Sequence, residues 1–91
     1  MISERDIEQK LRKYAQSKNI LFLKFTSPGH DGVPDRLCIG PTGSIVFIEV
    51  KAPGKKVSPL QAAMHNLLRA HNAKVFVVDD FEQGKVILDG L

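Results

Sequence analysis

Apolar positions first recur at helical spacing. Ile7, Leu11, Tyr14 and Ala15 fall along one side of a run from Ser3 to about Lys18, with Ser3 placed to cap its start and Asp6 at the N3 position of a near capping box. The period then changes. Ile20 to Thr26 is aliphatic and aromatic with Lys24 interrupting, and reads as a strand bounded by the turn-rich SPGHDGVP, Ser27 to Pro34. Asp35 to Ile39 and Ser44 to Lys51 are two more strand patterns, and the Gly40-Pro41-Thr42-Gly43 between them predicts a hairpin. After a loop from Ala52 to Val57, Ser58-Pro59-Leu60-Gln61 supplies an N-cap, a proline at the first helical position and a glutamine at N3. The helix opened there carries Leu60, Ala63, Met64, Leu67 and Leu68 as a stripe expected to face the core, until His71-Asn72 ends it. Lys74 to Val78 reads as a short strand buried on both faces, and Lys85 to Leu88 as a weaker terminal strand or edge. The order is α-β-β-β-α-β with a small tail. A helix between the hairpin and the next strand is a crossover, so the expected fold class is α/β, a mixed sheet flanked by helices.

Composition narrows the class. The chain has 91 residues, 43% of them hydrophobic and 25% charged, which fits one small domain over residues 1–91, and no internal repeat is visible. A core this small makes help from a second copy of the chain a reasonable expectation. No apolar run approaches the roughly 20 residues of a membrane helix. The opening MISERDIEQK holds no apolar signal segment either, so no membrane partner and a cytoplasmic location are expected. Cys38 is the only cysteine, without a mate for a disulfide or a thiolate metal site, and reads as a small buried hydrophobe.

The hairpin brings chemistry into view. If it pairs symmetrically about its connection, Ile39 lies opposite Ile45 and Asp35 opposite Glu49. Side chains so opposed have Cβ atoms roughly 4.5 to 5.5 Å apart, and like charges there are destabilising. Leu37, Ile39, Ile45 and Phe47 surround the pair with apolar neighbours, so a bound cation or a raised pKa is the expected remedy. Magnesium or manganese fits, since both take carboxylate and carbonyl oxygens. Lys51, two residues beyond Glu49, projects from the same face. Two carboxylates with an ammonium beside them suit phosphodiester cleavage, in which a metal activates water and the amine stabilises developing charge. An exposed polar edge would account for Glu49 and Lys51 equally well on spacing alone.

The identity of the fragments separates the two readings. Val33-Pro34-Asp35 followed by Ile48-Glu49-Val50-Lys51 resembles the PD-(D/E)xK nuclease superfamily, with Pro-Asp at one strand and Glu-x-Lys on the next. Gly32-Val33-Pro34-Asp35, the Ile48 to Lys51 strand and Leu60-Gln61 after a Ser-Pro helix start are together similar to the VRR-NUC family, the virus-type replication and repair nucleases. The likeness runs from Glu4 to Val78. It implies a small restriction-endonuclease-like core in which Asp35, Glu49 and the Val50 carbonyl ligate Mg²⁺ (or Mn²⁺), Lys51 is the catalytic lysine, and Gln61 orients Lys51 or a metal-bound water. Ser58-x-x-Gln61 is also a capping box, which would occupy the same amide.

An acid on the first helix is usual in this superfamily, and Glu4 and Glu8 compete. With Ile7 at zero and about 100° per residue, Leu11 lies at about 40°, Ala15 at about 80°, Glu4 at about 60° and Glu8 at about 100°. Glu4 is therefore centred on the apolar flank and is the expected active-site acid, while Glu8 at its edge can reach solvent. The run Glu4-Arg5-Asp6-Ile7 is also similar to the start of archaeal Holliday-junction resolvases. A first-turn acid complementing the helix dipole would need no active site. His30, in the loop before Asp35, and Lys55 and Lys56, beside the presumed metal site, are candidate phosphate contacts. His65 and His71 have no ligand at metal spacing and read as surface or helix-end residues.

Thirteen Lys and Arg against ten Asp and Glu give a net charge of +3, and removing Glu4, Asp35 and Glu49 to one site leaves thirteen against seven elsewhere. That suits a polyanion processed at an acidic pocket. The expected function is a Mg-dependent endonuclease of branched or structured DNA, a Holliday-junction-resolving homodimer in a bacterial or phage-infected host cell. The alternatives are a monomeric flap or nicking nuclease and a non-catalytic DNA-binding module of nuclease fold. A basic RNA-binding domain would want exposed aromatics on its sheet.

Overall fold

Ser3 and Asp6 start the first helix reciprocally. The Asp6 N–H donates to the Ser3 hydroxyl at 3.1 Å and the Ser3 N–H to the Asp6 carboxylate at 2.9 Å. Helix α1 (Glu4–Ser17) then turns Ile7, Leu11 and Ala15 inward. In a computed structural model describing all 91 residues, α1 is followed by β1 (Leu21–Lys24), β2 (Arg36–Ile39), β3 (Ile45–Val50), α2 (Pro59–Ala70), β4 (Val75–Val78) and α3 (Phe81–Asp89).

The strands form one sheet in the order β1-β2-β3-β4. β1 and β2, and β2 and β3, pair antiparallel, whereas β3 and β4 pair parallel. Such a mixed sheet follows from connectivity: the loop over residues 25–35 and the short turn over residues 40–44 return the chain antiparallel, and α2 carries it back to start β4 in the same direction as β3. The hairpin register runs from Ile39 opposite Ile45 to Arg36 opposite Ile48, as its symmetry about the turn predicts.

Alternation along the strands divides the sheet into two unlike faces. On one, Cys38, Val46, Ile48, Val50 and Val78 join Ile7, Leu11 and Ala15 of α1 and Leu88 of α3 in the core. Burial pushes the Cys38 thiol up to about 12, as expected of a small internal hydrophobe. The other face carries Leu37, Phe47 and Glu49. Helix α2 covers its β3–β4 side, and the β1 side is left open, with Leu21 and Leu23 exposed.

Three sequence expectations give way here. The terminal segment is a helix, not a strand. Asp80 caps it by accepting from the Gln83 N–H at 2.8 Å, and Gly84 inside it lets Leu11 approach so closely that a Cβ there would lie 2.5 Å from a Leu11 methyl. Val86, Ile87 and Leu88 argue for a strand locally, but contact with α1 decides. Second, β4 is an edge strand with Phe76 and Val77 exposed, because no fifth strand or further helix covers it. Third, α2 is rotated away from its apolar stripe: Leu60 is 56% and Leu67 53% exposed, and the helix's one buried residue is His65.

Candidate active site

Continuing the hairpin register by one residue sets Asp35 opposite Glu49, at the mouth of the strands where β2 begins. The Glu49 side chain is buried, 2% exposed, on the face that α2 covers. Lys51 leaves β3 on the same side, and its Nζ stands 3.8 Å from Glu49 Oε2. Burial first, then the adjoining Asp35 carboxyl, push the Glu49 pKa up to about 8 against the pull of Lys51; the Glu4 charge adds a smaller push in the same direction. Of the two remedies anticipated for opposed acids, the raised pKa is the direction that burial and Asp35 give Glu49.

Proline in the Pro-Asp pair has a structural consequence. The Gly40 N–H donates to the Ser44 carbonyl at 2.8 Å, so the pairs exchanging ladder bonds are Cys38 with Val46 and Arg36 with Ile48. The next such pair is Pro34 with Val50. Proline has no N–H to give, so the Val50 carbonyl receives no ladder bond from β2 at that point. Asp35, Glu49 and the Val50 carbonyl thus offer three oxygens at one end of the hairpin, the donor type that hard divalent cations take. No cluster of three or more His, Cys, Asp or Glu side chains accompanies them.

The loop before Asp35 is seated on α2. Gly32 has φ of 84°, and a Cβ there would meet the Leu60 carbonyl oxygen at 2.7 Å, so the close approach and the left-handed backbone both require glycine. His30 is exposed on this loop, its Nδ1 3.2 Å from the Ser27 hydroxyl, and it lines the same shallow depression as Asp35. Lys55 and Lys56 are exposed in the loop between β3 and α2.

Gln61 caps α2: its side-chain oxygen accepts from the Ser58 N–H at 2.9 Å, and its own N–H donates to the Ser58 hydroxyl at 3.1 Å. The two helix α1 acids exchange their expected environments. Glu8 is the half-buried one, held 2.5 Å from Arg36 Nη2, while Glu4 is exposed. Arg36 explains the exchange, because it points to the core face and needs a partner on α1.

His65 is the residue the sequence reading misplaced. It is not at the surface but 1% exposed, with Nε2 3.5 Å from Glu49 Oε1. Burial, followed by the charges of Arg69 and Lys51, lowers its pKa and favours the neutral ring. Its spacing held a signal: Gln61, His65 and Leu68 share a helix face at i, i+4 and i+7, and that face turns inward.

A mixed sheet whose central hairpin opposes two acids beside a lysine, with helices on both faces, is the framework of a small nuclease of the PD-(D/E)xK kind. The chain belongs to the VRR-NUC family, whose family model, the VRR-NUC domain, matches residues 2–80. It is similar to the protein named "Putative nuclease p44" of Acyrthosiphon pisum secondary endosymbiont phage 1, 39% identical over 96% of this chain and 94% of that one. A solved structure titled "VRR_NUC domain" superposes with a TM-score of 0.85 at 31% identity, covering 94% of each chain. The protein is a nuclease, and none of its helices is long and apolar enough to cross a membrane.

Proposed function

We propose that this nuclease is a divalent-metal-dependent endonuclease of branched DNA, acting as a Holliday-junction-resolving homodimer inside a bacterial or phage-infected cell, with residues 1–91 forming its single catalytic domain. The observation that carries the metal dependence is the buried Glu49 carboxyl set opposite a second carboxyl, Asp35, beside a Val50 carbonyl that receives no ladder bond from β2. These donors fit Mg²⁺ or Mn²⁺. Bound among them, such an ion supplies charge neutralisation at the phosphate and a more acidic water.

The remaining work falls to side chains of this chain. Asp35 and Glu49 would hold the ion through their carboxylate oxygens. Lys51, already beside Glu49, offsets negative charge developing on the phosphate oxygens. Hydrolysis then forms one bond from a water oxygen to phosphorus and breaks one bridging P–O bond, the proton passing to the leaving oxygen. Exposed Glu4 contributes a further negative charge at the edge of this group. His30, Lys55 and Lys56 hold backbone phosphates on either side. Gln61, if it orients Lys51 or water, does so only by leaving its cap.

Support for the dimer comes from apolar residues left uncovered: Leu21 and Leu23 beside β2, and Leu60 and Leu67 on the outer side of α2. Near the C-terminus, Leu88 belongs to the core, and Phe81, Ile87 and Leu91 pack against it. A gel comparing labelled junction, flap, duplex and single strand in Mg²⁺, read with static light scattering, tests the proposal. Symmetric junction cuts by a species of twice 10.1 kDa are expected. Full junction activity by a species of monomer mass would favour the flap or nicking nuclease instead.

A further inference from the structure

Helix α2 buries one residue, and it is polar. His65 Nε2 and Glu49 Oε1 are both inaccessible, neither has a hydrogen-bond partner, and they face each other across 3.5 Å. A leucine would fill an interior helix position without leaving a donor unpaired. The two oxygens of Glu49 have different neighbours: Oε2 faces Lys51, and Oε1 faces the imidazole.

We propose that His65 is a positioning residue for the metal-binding carboxylate: its Nε2–H donates to Oε1 of ionised Glu49 and so leaves Oε2 and Asp35 turned toward a divalent cation. The proposal rests on the metal-dependent reading above. A protonated Glu49 makes little demand on such a donor, whereas the charged form must replace the water it has lost. A shift of about half an ångström closes the gap to an ordinary N–H···O bond. The neutral ring has one N–H, and with the proton on Nε2 it is aimed at this oxygen. Partners of this kind, behind a ligating carboxylate, set its direction and its charge, and their loss lowers metal affinity by about 10- to 100-fold. The tie also joins α2 to β3, so the helix seated on the Gly32 loop and the strand bearing Glu49 and Lys51 are held at one point.

The test is isothermal titration of Mn²⁺ into the full chain without DNA, with thermal melts alongside, for wild type, His65→Leu, His65→Gln and Asp35→Asn. His65→Leu is expected to weaken Mn²⁺ binding by about tenfold or more while melting no lower than wild type without metal. His65→Gln, whose amide nitrogen can occupy the Nε2 position, is expected to recover binding to within about threefold of wild type. If His65→Leu does not fold, His65→Met makes the same comparison. Wild-type binding by the apolar variant overturns the proposal, as does equal loss in the glutamine variant with unchanged melting. Mn²⁺ binding that Asp35→Asn loses and His65→Leu keeps overturns only the role of His65. No Mn²⁺ binding by wild type overturns the metal reading and this proposal with it.

Discussion

Lys51 Nζ stands 3.8 Å from Glu49 Oε2, yet the ammonium does not bring that carboxyl into the usual acid range. Desolvation and the opposed Asp35 outweigh it. Glu49 is therefore pushed toward its neutral form, and the consequence can be measured.

Metal-free protein should lose stability as pH rises. Glu49 titrates near its ordinary 4.5 when unfolded and near 8 when folded, so between those values the folded chain binds more protons and unfolding becomes easier with increasing pH. Melts in excess EDTA from pH 5.5 to 8 should show a falling melting temperature, and Glu49→Gln should flatten the fall. Parallel curves for the two proteins would remove the raised Glu49 pKa.

The first-helix acids should separate by assay. Glu8→Ala strands the half-buried Arg36 guanidinium, whose Nε already lacks a partner, and should cost about 1–3 kcal/mol in urea unfolding. Glu4→Ala, at an exposed position, should cost under about 0.5 kcal/mol while reducing cleavage much more than Glu8→Ala does. Equal, small effects on cleavage would leave neither acid in the site.

Gly32 and Gly29 share a φ of 84°, but only Gly32 is pressed against α2. Gly29→Ala should cost about 1 kcal/mol from backbone strain alone, and Gly32→Ala should cost more, since Leu60 main chain must also move. Equal destabilisation in urea would show that the loop is not seated on the helix as described.

Ser58→Ala and Gln61→Ala each remove half of one reciprocal cap and should lower stability by about 1 kcal/mol apiece. Gln61→Glu keeps an acceptor for the Ser58 N–H and should melt like wild type. A large drop in cleavage by Gln61→Glu at unchanged melting temperature would give the side chain a part in the chemistry besides the cap.

Features set by neighbours in sequence were legible from the chain alone. Ile39 meets Ile45 because a five-residue connection leaves a hairpin few registers, and Ser58 with Gln61 caps α2 because those groups meet within one turn. What escaped depends on distant partners. Lys85 to Leu88 reads as a strand until the segment packs on α1, with Gly84 making room for Leu11, and Phe76 reads as buried until β4 proves to be the sheet edge. Leu60 and Leu67 form a stripe that ought to face inward, but it is the His65 side of α2 that lies against the sheet, beside Glu49. The site was thus visible as a pair of acids and a lysine, and its buried histidine was not.

The most direct test of the account follows a labelled four-way junction with wild-type protein and Asp35→Asn, each in Mg²⁺ and in excess EDTA, with Ca²⁺ as a third condition. Cleavage is expected only for wild type in Mg²⁺, with Ca²⁺ supporting binding better than turnover, and Asp35→Asn is expected to bind the junction at least as well as wild type. Undiminished cutting in EDTA, or cutting by Asp35→Asn at the wild-type rate, would contradict a metal held between Asp35 and Glu49.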